Sequence, residues 1–393
     1  MYEVIVIGKG LFGSSAVRYM SELADKVAII GPDEPADPAA HRGVFGAHYD
    51  EGRLTYQLKS DNVWAGLARA SLARFPAIEA ASGIRFHSPV GHLYLASERM
   101  DNGRFEAFLM QSHREAGDAK EIIKKFDGNG LREEFPYLSA AGDCWGLWEG
   151  PPAGYFSPRR FLRAQMALAA GVTAVHDVAT GVAVEEDGVL VTTERSGRFR
   201  AKKVLVAAGA YSNGFGLLER PLSLRLKQEY VIRAALPGTE VSRLREMPPI
   251  VYRIDHPRLS ELYILPPIQY PDGRYYLKMG ANTVLDKFVE DVEAINGWYR
   301  EGNSDAMLDE MREVVLAIFP GLKVESWRTH RCVITRTAHK RPYIDAIVPG
   351  RVYAAVGGNG QGAKAADEVG RLAARLVLLG EEPGNAFTAV YRE

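Results

Sequence analysis

Gly8, Gly10 and Gly13 follow directly on the apolar run Val4, Ile5, Val6 and Ile7, in the order that holding a dinucleotide requires. A first glycine permits a tight turn after a buried strand, a second lets backbone N–H groups approach a pyrophosphate, and a third lets the next helix pack closely on the strand. The helix N-terminus adds partial positive charge where phosphates would sit. A second cluster, GGNGQG at Gly357 to Gly362, lies between the apolar stretch Arg351 to Val356 and a helical pattern over Ala363 to Leu379. Gly358, Gly360 and Gly362 therefore present another helix N-terminus to a ligand. A nicotinamide dehydrogenase does not need this pair. A cofactor lying across the whole sheet edge does.

The elements that must hold these loops are legible around them. Ala16, Val17, Met20 and Leu23 recur at helical spacing over Ser14 to Leu23, and Lys26 to Ile30 reads as a second buried strand. In such folds an acidic residue at the end of that strand accepts the ribose hydroxyls. Gly31 and Pro32 stand there instead, so Asp33, about twenty residues past Gly13, becomes the candidate. Pro32 to Gly46 is a long loop carrying His41 and Arg42, with His48 and Tyr49 just beyond; loops of this length are usually functional.

Further along, Asp61 starts an amphipathic helix, Gly91 to Ser97 alternates as a strand, a helix is expected from Arg104 to Glu115, and Asp143 to Trp148 reads as a strand. Ser157 followed by Pro158 is an N-cap signal for the helix Arg159 to Ala170. Lys203 to Ala207 is a buried strand ending in Ala208-Gly209-Ala210, where Gly209 lets backbone and cofactor come close. Gln228 to Lys278 reads as successive aromatic-rich antiparallel strands, and Asp305 to Phe319 as a helix.

Composition narrows the partners. The 393 residues carry 48 Lys plus Arg against 49 Asp plus Glu, a net charge of -1, so no excess positive field recommends nucleic acid or an anionic membrane. A small molecule is the expected partner, and the chain is expected to be a monomer or small homo-oligomer. Two cysteines, Cys144 and Cys332, are too few for a disulfide framework. With a strand starting at residue 2 and no apolar run of membrane-spanning length, a soluble cytoplasmic protein is expected.

With both glycine loops in view, the chain resembles the D-amino acid oxidase superfamily of FAD enzymes, most closely the monomeric sarcosine oxidase branch. The resemblance spans nearly the full length. It rests on VIVIGKGLFG at the start, HYDEGR at His48 to Arg53, KVLVAAGAYSN at Lys203 to Asn213, LYILPPI at Leu262 to Ile268, YLKMGAN at Tyr276 to Asn282, CVITRT at Cys332 to Thr337, and GGNGQGAK at Gly357 to Lys364.

The resemblance implies FAD as cofactor and assigns roles by position. Lys278 matches the lysine that activates oxygen near the flavin N5, Lys364 a lysine that pairs with the substrate carboxylate, and Tyr263 a tyrosine lining the substrate site. Val178 matches a residue whose backbone meets the adenine ring, and Cys332 the cysteine that carries the flavin through a thioether. Taken alone, the two lysines read as ordinary exposed side chains and Cys332 as a buried structural thiol. Asn282 stands where sarcosine oxidases have a histidine, and the arginine expected shortly before HYDEGR has no clear counterpart; Arg42 is the nearest, and His48 a partial replacement. Tyr49, Tyr263 and Trp298 are candidates to surround the amine.

The expected architecture is an α/β FAD-binding Rossmann-like domain of the glutathione reductase type, with a central parallel sheet. An α+β substrate domain on a mostly antiparallel sheet is interleaved with it. The FAD domain is expected to comprise 1–85, 150–222 and 330–393, and the substrate domain 86–149 and 223–329. The expected reaction is oxidation of an amine or amino acid C–N bond by hydride transfer to flavin, with O2 reduced to H2O2. Two alternatives stay open: a dehydrogenase of the same fold serving a quinone or protein acceptor, and a non-catalytic FAD-binding subunit.

Overall fold

The computed structural model describes residues 1–38, 40–101, 103, 107, 110, 123–139 and 143–392. Its first sheet has a parallel centre in which Tyr2–Ile7 pairs with Val27–Ile30 on one side and Arg198–Val206 on the other. Thr173–Val175 and Val352–Val356 extend it in parallel at either side. Strand Tyr2–Ile7 is central because both its faces are apolar. Val4 and Val6 enter a core with Ala16, Val17, Val369 and Ala373, whereas Ile5 and Ile7 enter another with Val189, Val191 and Val204.

The helices Leu11–Ser21, Asn62–Ser82, Pro158–Leu168 and Gly362–Leu379 pack together beside this sheet. Their boundaries follow local chemistry. Asp61 accepts from the N–H of Trp64 and Ser157 from that of Arg160, each satisfying a donor the first turn leaves orphaned. The helix expected over Arg104 to Glu115 lies almost wholly outside the described residues.

The second sheet is mostly antiparallel. Leu224–Ala235 pairs with Tyr275–Thr283 and, along its whole length, with Ser326–Thr337; Tyr275–Thr283 then pairs with Leu259–Gln269. Ile250–Arg253, His92–Ser97 and Cys144–Glu149 continue it. Ser326–Thr337 is a twelve-residue strand of this sheet and runs across position 330, where the expected domain boundary fell. The helix expected over Asp305 to Phe319 is a 3₁₀ turn, Ser304–Met307, followed by an α-helix, Leu308–Ile318.

Residues directly opposite in an antiparallel pair share a face. Leu224, Leu226, Tyr230, Ile232 and Ala234 face an apolar core. The other face is polar and buried. It brings together Arg233 opposite Lys278, Val231 opposite Gly280 and His330, Tyr263 opposite Gly280, and Glu229 opposite Cys332. No helix among the described residues is long and apolar enough to cross a membrane.

Candidate active site

Both glycine loops open onto one cleft. Gly8, Gly10, Val178, Gly209, Gly358, Gly360 and Gly362 line it, as do His48 and Cys332. Gly8 has φ +110°, and a Cβ there would lie 2.4 Å from the Ala207 carbonyl oxygen, so no side chain is tolerated at this turn. Gly13 stands outside the lining and does the packing expected of it: a Cβ would meet the Gly8 carbonyl oxygen at 1.8 Å. The helices Leu11–Ser21 and Gly362–Leu379 both start without a side-chain cap. Their first N–H groups are thus left for a ligand. Two uncapped helix starts on one glycine-lined cleft fit the phosphates of FAD.

At one end, the buried Asp177 carboxylate accepts from the N–H groups of Val178, Arg195 and Ser196, at 2.7 to 2.8 Å. Although burial alone would raise it, those three donors hold Asp177 well below the usual carboxylate range. They also fix Val178, whose carbonyl accepts from Glu194 N–H at 2.9 Å. Asp33 lies outside the cleft lining, exposed, its carboxylate engaged by Lys9 and by His176 at 2.6 Å. The adjacent Glu34 pairs with Arg159, which also holds Glu51 at 3.0 Å and the Tyr49 carbonyl. This arginine thereby ties the long loop to the helix Pro158–Leu168.

His48 packs near the phosphate loop, where a Cβ on Gly10 would lie 3.9 Å from its Nδ1. Burial, reinforced by the cations of Arg159, Arg53 and Lys9, drives its pKa down to about 3, so it is neutral. It therefore supplies no cation of the kind an arginine clamp would. Arg42 is exposed, outside the cleft lining, with Nη1 donating to the His41 carbonyl at 3.2 Å. The group that lies against Lys364 is the Tyr56 ring.

Lys364 is 2 % exposed and, like Lys278, lies outside the cleft lining; its Nζ sits 3.0 Å from the centroid of the Tyr56 ring and has no hydrogen-bond partner among the described residues. Burial pushes it well below the ordinary lysine range, aided by Lys59 and opposed by Glu149. Tyr56 stacks on His92 at 4.3 Å and donates to the Gln361 side chain at 3.1 Å. Glu149 accepts from the N–H groups of Gln57 and Leu58, yet burial lifts its pKa to about 7.

Lys278 is 1 % exposed and lies outside the cleft lining. Its Nζ donates to Asp50 Oδ2 at 2.8 Å and to the carbonyls of Glu51 and Gly52 at 2.6 and 2.8 Å. The other Asp50 oxygen accepts from Arg233 and from Tyr270, both at 2.9 Å. Burial lowers the Lys278 pKa to about 8 against the pull of Asp50. The Tyr263 ring lies flat over Gly280, where a Cβ would come within 2.4 Å of it, and its centroid is 5.8 Å from Lys278 Nζ.

Cys332 lines the cleft. Its thiol is pushed up by burial, with Arg53 working in the opposite sense. Trp298 does not reach the cleft lining; buried in the core, it donates from Nε1 to the Cys332 carbonyl at 2.9 Å and so positions that strand. Sequence reasoning passed over Arg53, Asp50, Tyr56 and Glu149. Arg53 and Asp50 stand inside the HYDEGR segment, the one signal available; Tyr56 and Glu149 have none, because 92 residues separate the Glu149 carboxylate from the Gln57 N–H it meets.

Comparison with known proteins places the fold. N-methyl-L-tryptophan oxidase of Yersinia pestis (strain Pestoides F) is 25% identical over 220 residues, 53% of this chain and 54% of that protein. The match thus spans about half the length of these curated relatives. The structure of NikD, an unusual amino acid oxidase essential for nikkomycin biosynthesis, superposes with a TM-score of 0.77 at 18% identity, covering 100% of this chain and 98% of NikD. Glycine oxidase from Bacillus cereus ATCC 14579 does so with a TM-score of 0.71 at 22% identity, over 100% and 99% of the two chains. The family of FAD dependent oxidoreductases that includes D-amino acid oxidase matches residues 3–376, and the chain belongs to it.

Proposed function

We propose that this protein oxidises the C–N bond of a small amine or amino acid, using FAD. The observation that carries the reading is the convergence of two uncapped helix N-termini on one cleft, beside the buried polar sheet face that bears Tyr263, Lys278 and Cys332. FAD, when bound, supplies the two-electron acceptor. The amides that open the first and last helices would hold its anionic groups, and Cys332 would carry it through a thioether. Tyr263 and Tyr56 would enclose a neutral amine, and Lys364 would take a carboxylate. Loss of a hydride would leave an iminium, which water would hydrolyse with release of a proton; the hydride's two electrons and proton, with that second proton, would reduce O2 to H2O2.

Support for an amino acid substrate comes from the relatives, whose names specify N-methyl-L-tryptophan and glycine. We assign residues 1–85, 150–222 and 330–393 to the FAD domain and 86–149 and 223–329 to the substrate domain, with Ser326–Thr337 joining the two. An absorbance spectrum of the purified protein tests the reading: bands near roughly 370 and 450 nm are expected as a property of the cofactor. Anaerobic bleaching of the longer band by glycine, by N-methyl amino acids or by other small amines would identify the substrate class. A colourless protein that FAD cannot reconstitute would refute the proposal.

A further inference from the structure

We infer that Lys9, in place of a carboxylate, is the residue that meets the adenosine ribose of FAD, and that Asp33 and His176 position it from outside the cleft. The inference rests on the FAD reading above and deepens it. It reverses the sign of the charge that dinucleotide folds of this kind ordinarily set against the ribose.

The usual carboxylate position is sterically closed. Strand Val27–Ile30 runs into Gly31, where a Cβ would lie 2.7 Å from both the Cβ and the backbone nitrogen of Lys9. Because one of those atoms is backbone, no rotamer of Lys9 relieves the contact, and an acidic side chain cannot stand at 31. The next carboxylate along the chain, Asp33, lies outside the cleft lining with its side chain 64 % exposed.

Lys9 lines the cleft beside Gly31, Pro32 and Val178, and its side chain is only 9 % exposed. It is held from outside. Thr173–Val175 pairs in parallel with Val27–Ile30, Val175 opposite Ile30, so His176 and Asp33 emerge together just past the two strand ends. Lys9 Nζ donates to Asp33 Oδ1 and lies 3.1 Å from His176 Nδ1, which in turn lies 2.6 Å from Asp33 Oδ2. An ammonium group has three N–H bonds. Among the described residues only these two groups meet Nζ, so one N–H is left for a ligand. A ribose hydroxyl accepts as readily as it donates, and a lysine therefore serves it where an acid otherwise would.

The test reads binding and needs no turnover. Full-length apoprotein, with Cys332→Ala as background so that flavin stays exchangeable, is titrated with FAD and with its analogue lacking both hydroxyls of the adenosine ribose. Quenching of flavin fluorescence gives the two affinities. Lys9→Met is expected to weaken FAD binding roughly tenfold and to leave the analogue within about twofold, as loss of a charge-assisted hydrogen bond to a hydroxyl requires. Lys9→Arg is expected to keep most of the preference for FAD. Asp33→Asn, which loosens Lys9 without removing it, is expected to lose less than Lys9→Met. Should Lys9→Met not fold, Lys9→Gln takes its place under the same criteria. Equal losses for the two ligands, no loss for FAD, or a loss in Asp33→Asn as large as that in the Lys9 variant overturns the assignment. A protein with Cys332 intact that takes up no FAD refutes the underlying reading instead.

Discussion

Gly370 of the last helix stands against Ser15 of the first so closely that a Cβ on Gly370 would lie 2.4 Å from the Ser15 Cβ and 2.5 Å from the Ala16 nitrogen. These are the two helices whose N-termini open onto the cofactor cleft, so their separation sets the distance between the two sets of amides. Gly370→Val must push them apart. It is expected to destabilise the protein by about 2 kcal/mol or more and to weaken FAD retention. A thermal melt with and without added FAD measures both, and a melt like that of the wild type would show that the crossing tolerates a wider spacing.

Lys364 has no acceptor for its ammonium protons among the described residues and rests on the Tyr56 ring. A methionine of similar length relieves the buried charge, so Lys364→Met is expected to raise stability by roughly 1 kcal/mol. The same variant is expected to raise KM for a carboxylate-bearing substrate while leaving KM for the corresponding amine without a carboxylate near its wild-type value. Equal changes for both substrates would remove Lys364 from carboxylate binding.

Glu149 gives a pH signature with a definite sign. Its folded pKa of about 7 lies above the free value of 4.5, so its contribution to stability is fully present below pH 4.5 and is lost as pH rises through 7. Glu149→Gln cannot ionise. The stability of the variant relative to wild type is therefore expected to improve between those values, by up to about 1.4 kcal/mol per pH unit, and to level off above them. Denaturant titrations across that range check this; a constant difference would mean that the carboxylate is ionised throughout.

Cys332 lines the cleft, on a strand positioned by the Trp298 indole. Acid precipitation of the wild type is expected to leave the yellow colour in the pellet, and that of Cys332→Ala to release it into the supernatant. Colour released from both would make the thiol structural. Trp298→Phe, which deletes the hydrogen bond to the Cys332 carbonyl, is expected to lower the fraction attached without abolishing it.

By itself the sequence determined the cofactor end. Strand, glycine turn and helix are neighbours along the chain, so Tyr2 to Ser21 and Val352 to Leu379 each build their part of the cleft from local contacts, and Gly8, Gly13 and Gly362 could be read directly. The alternation of Leu224 to Ala235 was equally local, and it sets one face apolar and the other polar. What stands on that polar face, and against what, was decided only by tertiary structure. Asp50 meets Lys278 across 228 residues, and Tyr56 meets Gln361 across 305. Nothing in the spacing of such groups records these meetings, because strand register and the course of residues 43–60 bring them together. Charge follows the same division: a lysine is read from sequence as an exposed cation, and only burial, with three acceptors at Lys278 and, among the described residues, none at Lys364, gives the two lysines opposite situations.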